Sequence, residues 1–370
     1  MIFHDDFRLF TGYKPCQYKR ACEDCQHYDP VNKRIVIVSL EALGAVLRST
    51  CLLPAIKREH PGSHITWVTL KSALPLLDNN PMIDRVILVE AKTLPVLQHL
   101  EFDVLYAVDK SAEAGALAEI IKAEKKFGFG LDVSGVIRPL SKEASYQYQV
   151  GLDDQLKFYD NQKPETQQIT ETMGLAWQKD PYVLEFTDAE KKIIAAQHQE
   201  LTFNGKAKGV IGYNTGCSLL FPYKKFTVER SVALIAAWRK AFPDYTIALL
   251  GGPEDTERQE LMKQEFSNDP WVVNTPTTGG LRSGMRWMAG ADIVLSGCSL
   301  GLHIAIALKK PVIAWFGVSC IQEIDVYDRG VKIQSKVSCS PCWKKSCDNE
   351  PKCFDMVPLD EILEATSKLL

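Results

Sequence analysis

The chain predicts an α/β fold of two Rossmann-like domains facing a central cleft, and three observations carry that prediction. From Arg34 onward, short β-branched runs alternate with helical stretches, the pattern of βαβ units on a parallel sheet. The alternation lapses in a polar, Gln-rich stretch and restarts near Gly209. At 370 residues the chain is also long for one hydrophobic core, so two domains are the default.

In the first half, "RIVIVS" (34–39) reads as a strand and Ala45 to His60 as a helix with apolar residues at helical spacing. "PGSHITWVTL" (61–70) is a turn and second strand, and "LPLLDNNP" a helix end. "DRVILVE" (84–90) and "FDVLYAVD" (102–109) are the next strands. "AEAGALAEIIKAEKK" then reads as a helix, followed by "FGFGL". Pro139 to Asp180, rich in Gln and aromatic residues, closes the first domain. A helix over 188–203 and the turn "NGKAKG" (204–209) lead into the second half. There "GVIGYN" (209–214), "YTIALLGG" (245–252), "WVVNTPT", "DIVLSG" (292–297) and "PVIAWFG" (311–317) are strands. Helices over 227–243, 254–266, 279–291 and 299–309 separate them, with Thr227 as an N-cap, and "LDEILEATSKLL" adds an amphipathic final helix. The domain borders follow: 1–33 a Cys-containing extension, 34–187 the first domain, 188–370 the second.

Composition narrows the function. Hydrophobic content of 46%, charge of 24% and a net charge of −3 are those of an ordinary globular protein, with no broad attraction to nucleic acid or anionic lipid. No apolar run reaches the ~18 residues of a membrane span. "MIFHDDFRLFTGYK" lacks the basic region and apolar core of a signal peptide. The expectation is a cytoplasmic protein, with room for peripheral contact at the inner face of the membrane.

Neither half carries GxGxxG, a Walker loop, a nucleophile elbow or HExxH, which sets aside nicotinamide enzymes, P-loop NTPases and serine hydrolases. Two glycine-containing strand ends remain. "NTGCSLLFPYKKF" (214–226) carries Lys224 and Lys225; "SGCSLGLHIAIALKK" puts Ser299 at a helix N-terminus and His303 in its first turn or so. Taken singly, these are solvated lysines and a core histidine. Jointly, at the carboxyl ends of strands and beside free helix N–H groups, they point to a diphosphate-sugar site.

The eleven cysteines cluster. Cys339-x2-Cys342-x4-Cys347-x5-Cys353 supplies four thiolates suited to a closed, tetrahedral, structural zinc or iron site; two disulfides are the alternative, disfavoured in a reducing compartment. Cys16, Cys22 and Cys25, with His27, offer ligands for a second metal or a partial iron–sulfur site, against unligated thiols on a loose extension. Cys51, Cys217, Cys298 and Cys320 are solitary and read as small buried hydrophobes.

"ADIVLSGCSLGLHIAIALKKPVIAWFG" resembles the signature of glycosyltransferase family 9, the ADP-heptose transferases of bacterial surface polysaccharide synthesis. "LGAVLRSTCLLPAIKREHPGSHITWVT", "NNPMIDRVI", "FDVLYAVDKS" and "LLGGPEDTERQEL" match the family in order, from Arg34 to the C-terminus. The resemblance implies a GT-B-type fold with an acceptor domain followed by a nucleotide-sugar domain. It also implies an inverting transfer of heptose or a related sugar from an ADP-sugar to a glycan, lipid-linked glycan or protein acceptor. Thr215, Gly216 and Lys224 would hold the diphosphate, Glu257 would face the nucleoside, and Ser299 with His303 would hold phosphate or sugar. A lysine and helix N–H groups stabilise a leaving diphosphate without a divalent metal.

Two positions depart from the family pattern. Ala45 stands where an Asp usually acts as base, and Cys298 replaces the acidic residue before Ser299. A positioned base is worth roughly 10²- to 10⁴-fold. Asp109, at the end of an apolar strand and followed by Lys110 on the acceptor side, is the replacement the sequence favours, with Glu41 second. The competing reading is a catalytically impaired homologue that binds nucleotide sugar or a partner protein. A non-hydrolysing epimerase is third, set back because the motif order is that of transferases.

Overall fold

The structure is a computed structural model and describes residues 3–370. The chain packs into two compact units. One comprises the residues up to Gln149 together with Gln167–Asp180; the other comprises Val150–Thr166 and Pro181–Leu370.

The first unit holds a six-stranded sheet: β1 (Arg34–Val38), β2 (His64–Thr69), β3 (Arg85–Leu88), β4 (Glu101–Ala107), β5 (Lys122–Leu131) and β6 (Ile137–Pro139). Their order is β3-β2-β1-β4-β5-β6, parallel except for β6, which runs antiparallel to β5. β1 is the apolar run RIVIV, buried from Ile35 onward, as a central parallel strand covered on both faces must be. β1 pairs with β2 on one side and β4 on the other, so strand order reverses between β1 and β4. That reversal opens a crevice outside the strands' carboxyl ends.

Two elements differ from the sequence reading. The single helix expected over 45–60 is two helices, Leu43–Ser49 and Leu52–Glu59. Pro54 supplies no N–H and its ring crowds the carbonyl four residues back, at Thr50. The Thr50 hydroxyl turns back to the Leu47 carbonyl at 2.6 Å, which completes the break. The helix expected through "KAEKK" stops at Ile120, and Lys122 begins β5. Pairing with β4 overrides helix propensity there, and Lys126 Nζ caps the helix end on the Ala118 and Glu119 carbonyls at 2.6 and 3.1 Å.

The N-terminal extension is tied to this unit by Arg8. Its guanidinium donates to Asp29 (2.7 Å), Asp84 (2.8 Å) and the carbonyls of Ser63 (2.7 Å) and Gly62 (3.1 Å).

The second unit repeats the plan with β7 (Gly209–Asn214), β8 (Tyr245–Leu250), β9 (Val272–Asn274), β10 (Ile293–Gly297), β11 (Val312–Phe316) and β12 (Gly330–Gln334). The order is β12-β11-β10-β7-β8-β9, all parallel, with the reversal between β7 and β10. β12, "GVKIQ", goes beyond the strands expected from sequence; a short edge strand with a Lys lacks the apolar run that marks the others. The core gathers Tyr213, Phe226, Trp238 and Trp315, with Phe226 and Trp315 stacked at 4.4 Å. Trp238 Nε1 donates to Thr366 Oγ1 at 3.0 Å and thereby docks the final helix, Leu359–Leu369.

Trp238→Ala is expected to lower the stability of the second unit by about 3–5 kcal/mol. Denaturant unfolding followed by far-UV circular dichroism checks this; a loss below 1 kcal/mol would show that the indole is not a keystone of this core.

Candidate active site

The second sheet's reversal point is organised by one side chain. Asn214, the last residue of β7, is the register partner of Ser296 on β10. Its Nδ2 donates to the Gly216 carbonyl (3.0 Å), Ser296 Oγ (3.0 Å) and Ser299 Oγ (3.1 Å). Ser299 is the N-cap of the helix Leu300–Ala307, yet its hydroxyl accepts no N–H of that helix. The first-turn amides are thus left without a side-chain cap, at the positive end of the helix dipole, an arrangement that favours an anion.

Around this point lie the other residues singled out from sequence. Thr215 is buried; its hydroxyl and its amide both donate to the Leu250 carbonyl, at 3.1 and 2.9 Å, and its carbonyl accepts from Arg258 Nε at 3.2 Å, so it braces the turn. Gly216 passes so close to Asp255 that a Cβ there would collide with the carboxylate. Lys224 ends the turn Pro222–Lys224 with its ammonium over the rings of Trp343 (4.1 Å) and Phe221 (4.9 Å). His303 is buried, its Nδ1 3.2 Å from the Tyr182 hydroxyl. Glu257 is exposed in the first turn of the helix Thr256–Glu265. The Cys298 thiol is pushed up by burial, with Lys224 opposing, so it stays neutral and does not reproduce the acidic residue it replaces.

Two residues here escaped the sequence reading. Asn214 was legible only as the end of a strand. Asp255 lies two positions before Glu257, is buried, accepts from the Gly252 amide at 3.0 Å and sits 3.9 Å from Lys225. Burial pushes its carboxyl up. The "GGPED" turn was the available signal, since it sets two successive acidic residues, Glu254 and Asp255, at the end of a strand.

In the first unit the matching reversal point belongs to Asp109. Its carboxylate reaches across from the end of β4 to the loop after β1. Oδ1 accepts from Ser39 Oγ (3.1 Å), and Oδ2 from the amides of Leu40 (2.5 Å) and Glu41 (3.2 Å). Burial pushes this carboxyl up; those hydrogen bonds and the Arg48 charge pull the other way. Glu41 is exposed, immediately before Ala42 in the left-handed region (φ 53). Ala45 lies in the first turn of the helix Leu43–Ser49, so Asp109 and the position of the missing carboxylate border one loop. Lys110 donates to the Gln147 carbonyl at 2.9 Å and lies over Phe129.

The cysteines of 339–353 share one neighbourhood. Cys353 is pushed up to about 11, first by burial and then by the fields of Cys342, Cys347 and Cys339. Among the described residues, no three His, Cys, Asp or Glu side chains are placed to hold a metal ion, and this includes the set Cys16, Cys22, Cys25 and His27. His27 instead stacks on Tyr18 at 3.9 Å. Nor is any helix among the described residues long and apolar enough to cross a membrane.

Two doubly wound sheets, each with polar groups gathered at its reversal point, define the GT-B type of glycosyltransferase fold. Similar solved structures share it. A family 9 glycosyl transferase from Veillonella parvula aligns with TM-score 0.68 and 17% identity over 92% of this chain and 97% of that one. The E. coli ADP-heptose lps heptosyltransferase II aligns with TM-score 0.67 and 17% identity over 91% and 98%. The iron-containing dodecameric glycosyltransferase TibC from enterotoxigenic E. coli aligns with TM-score 0.52 and 11% identity over 92% and 76%. A search of curated proteins finds no match. The model of glycosyltransferase family 9 (heptosyltransferase) matches residues 94–353, and the chain belongs to that family.

Asn214→Ala strands two hydroxyls and a carbonyl at the head of the helix Leu300–Ala307. The expected cost is about 1–3 kcal/mol of stability, together with weaker nucleotide binding, read by thermal unfolding with and without ADP. An unchanged ADP-induced shift would deny Asn214 its part in the site.

Proposed function

We propose that this protein transfers heptose, or a closely related sugar, from an ADP-sugar to a glycan, lipid-linked glycan or protein acceptor, with inversion. The carrying observation is the reversal point of the second sheet. There an uncapped helix N-terminus, the Asn214–Ser299 hydrogen bond, and a Lys224 charge that is felt at the adjacent Cys298 support a diphosphate site. Family membership supports transferase chemistry, and the donor named for the E. coli relative supports ADP-heptose.

As the anomeric bond breaks, negative charge collects on the departing diphosphate. Lys224 and the first-turn amides are preorganised to receive it, which lowers the barrier without a divalent metal. Ser299 and His303 are assigned to phosphate or sugar, and Glu257 to the nucleoside. Asp109 is assigned to take the acceptor hydroxyl proton, with Glu41, exposed on the same loop, as the second candidate. A buried carboxylate pushed up by desolvation is a stronger base than an exposed one. Lys110 is assigned to the acceptor side. A donor-binding homologue without turnover is the second reading, favoured by Ala45 and by the engagement of both Asp109 oxygens.

For the cysteine quartet we propose structural zinc or iron, held by Cys339, Cys342, Cys347 and Cys353. Four soft thiolates suit either metal, and iron is named for TibC. The mutual fields at Cys353 support the grouping, since a bound cation would relieve them. The metal would pin the segment, with no part in the reaction. Cys16, Cys22, Cys25 and His27 stand as a second, weaker candidate set.

Purified protein incubated with ADP-heptose should release ADP slowly, and Asp109→Asn should abolish release while ADP binding persists. Because the base must be ionised and its carboxyl is raised, the acidic limb of the rate profile should lie above the ordinary carboxylate range, with activity rising as pH climbs through it. Binding without release, unaltered by Asp109→Asn, would establish the second reading. Elemental analysis of the purified protein should find about one zinc or iron per chain, lost in Cys342→Ser; a metal-free wild type would remove the proposed staple.

A further inference from the structure

Lys224 is not the only ammonium at its position. Lys157, on the Val150–Thr166 stretch that packs within the second unit, brings its Nζ to 4.6 Å from the centroid of the Trp343 ring. Lys224 Nζ lies 4.1 Å from the same centroid. Two like charges thus share one indole. Their mutual repulsion would be relieved by an anion bound to both.

The arrangement is built rather than incidental. Trp343 has φ 50, a left-handed conformation rare for a bulky side chain and kept only where surroundings impose it. The amides of Cys342 and Trp343 both donate to the Val318 carbonyl, at 3.1 and 2.8 Å, which pins the residue just beyond β11. Phe221 meets the indole edge-on at 5.4 Å. Lys157 is held by its own carbonyl, which accepts from Gln322 Nε2 at 3.3 Å. The backbone of Lys224 lies against Gly297, where a Cβ would collide with the Lys224 carbonyl oxygen. On its other flank Tyr223 stacks on Phe354, 6.2 Å away, and the Cys353 thiol faces the Tyr223 carbonyl at 3.9 Å.

We propose that Lys157 and Lys224 form one diphosphate clamp, with Trp343 as the positioning residue that holds both ammonium groups by cation–π attraction. The cysteine-rich segment is then a wall of the donor site as well as a staple. The ligand class is the diphosphate of a nucleoside diphosphate sugar, and the inference rests on the donor site proposed above. It adds a second cation supplied by a distant stretch of chain.

Calorimetric titration of the full-length protein with ADP, AMP and adenosine tests the clamp. Lys157→Met and Trp343→Leu should each weaken ADP binding by about 10- to 100-fold, the value of a charge-assisted contact. AMP should lose less and adenosine nothing, while Trp343→Phe, which keeps a ring, should restore most of the ADP affinity. Matched circular dichroism and melting curves separate this from unfolding, and Lys157→Met, at a half-buried position outside the core, remains informative if Trp343→Leu does not fold. Normal ADP binding by Lys157→Met and Trp343→Leu alongside weak binding by Lys224→Met would overturn the clamp and leave the donor site standing. Failure of the wild type to bind ADP, or no loss in Lys224→Met, would remove the donor site and the clamp with it. Equal losses for ADP and adenosine would mark a structural role and also overturn it.

Discussion

One amide nitrogen holds the second unit's site together. Asn214 Nδ2 joins the end of β7 to Ser296 of β10 and to the cap of the next helix, and it fixes the Gly216 turn in the same stroke. A parallel sheet leaves its strand ends as separate loops, and their reversal point is a gap that backbone bonding alone does not close. Because Asn214 occupies Ser299 from outside the helix, the first-turn amides keep their capacity for an anion.

The first unit solves the equivalent problem with a charge. Asp109 crosses the β1–β4 reversal and binds two successive amides and a hydroxyl of the following loop. Asp255 repeats the device beside β8, where it accepts from the Gly252 amide. In both places desolvation opposes ionisation while N–H donors favour it, and burial is the larger effect. A carboxylate held this way serves as a structural clasp across the loop. With Ala45 in the first turn of the helix Leu43–Ser49, Asp109 is a carboxylate held on the same loop.

The cysteine-rich segment connects two properties that the sequence suggests separately. Its four cysteines lie together, and its Trp343 lies under the Lys224 ammonium. Two amides bonded to one carbonyl at the end of β11 carry that connection. Rigidity at the thiols and placement of Lys224 are thus coupled through a few residues of backbone.

The central strands of both sheets were legible because parallel strands buried on two faces must be continuous apolar runs, as in "RIVIVS", "YTIALLGG" and "PVIAWFG". Asp109, Lys224, Ser299 and His303 were legible as polar residues abutting those runs. The break at Thr50 was written in Pro54, but helical periodicity on both sides concealed it. β5 was hidden because Lys, Ala and Glu favour a helix until a neighbouring strand offers a ladder. Asn214 as organiser, the burial of Asp255 beside an exposed Glu257, and Lys157 beside Lys224 were decided only by tertiary structure. Each is a contact between segments far apart in the chain, set by strand order and loop packing. Local residue pattern determines which segments become strands and helices; which side chains meet at the strand ends follows only once those segments have assembled.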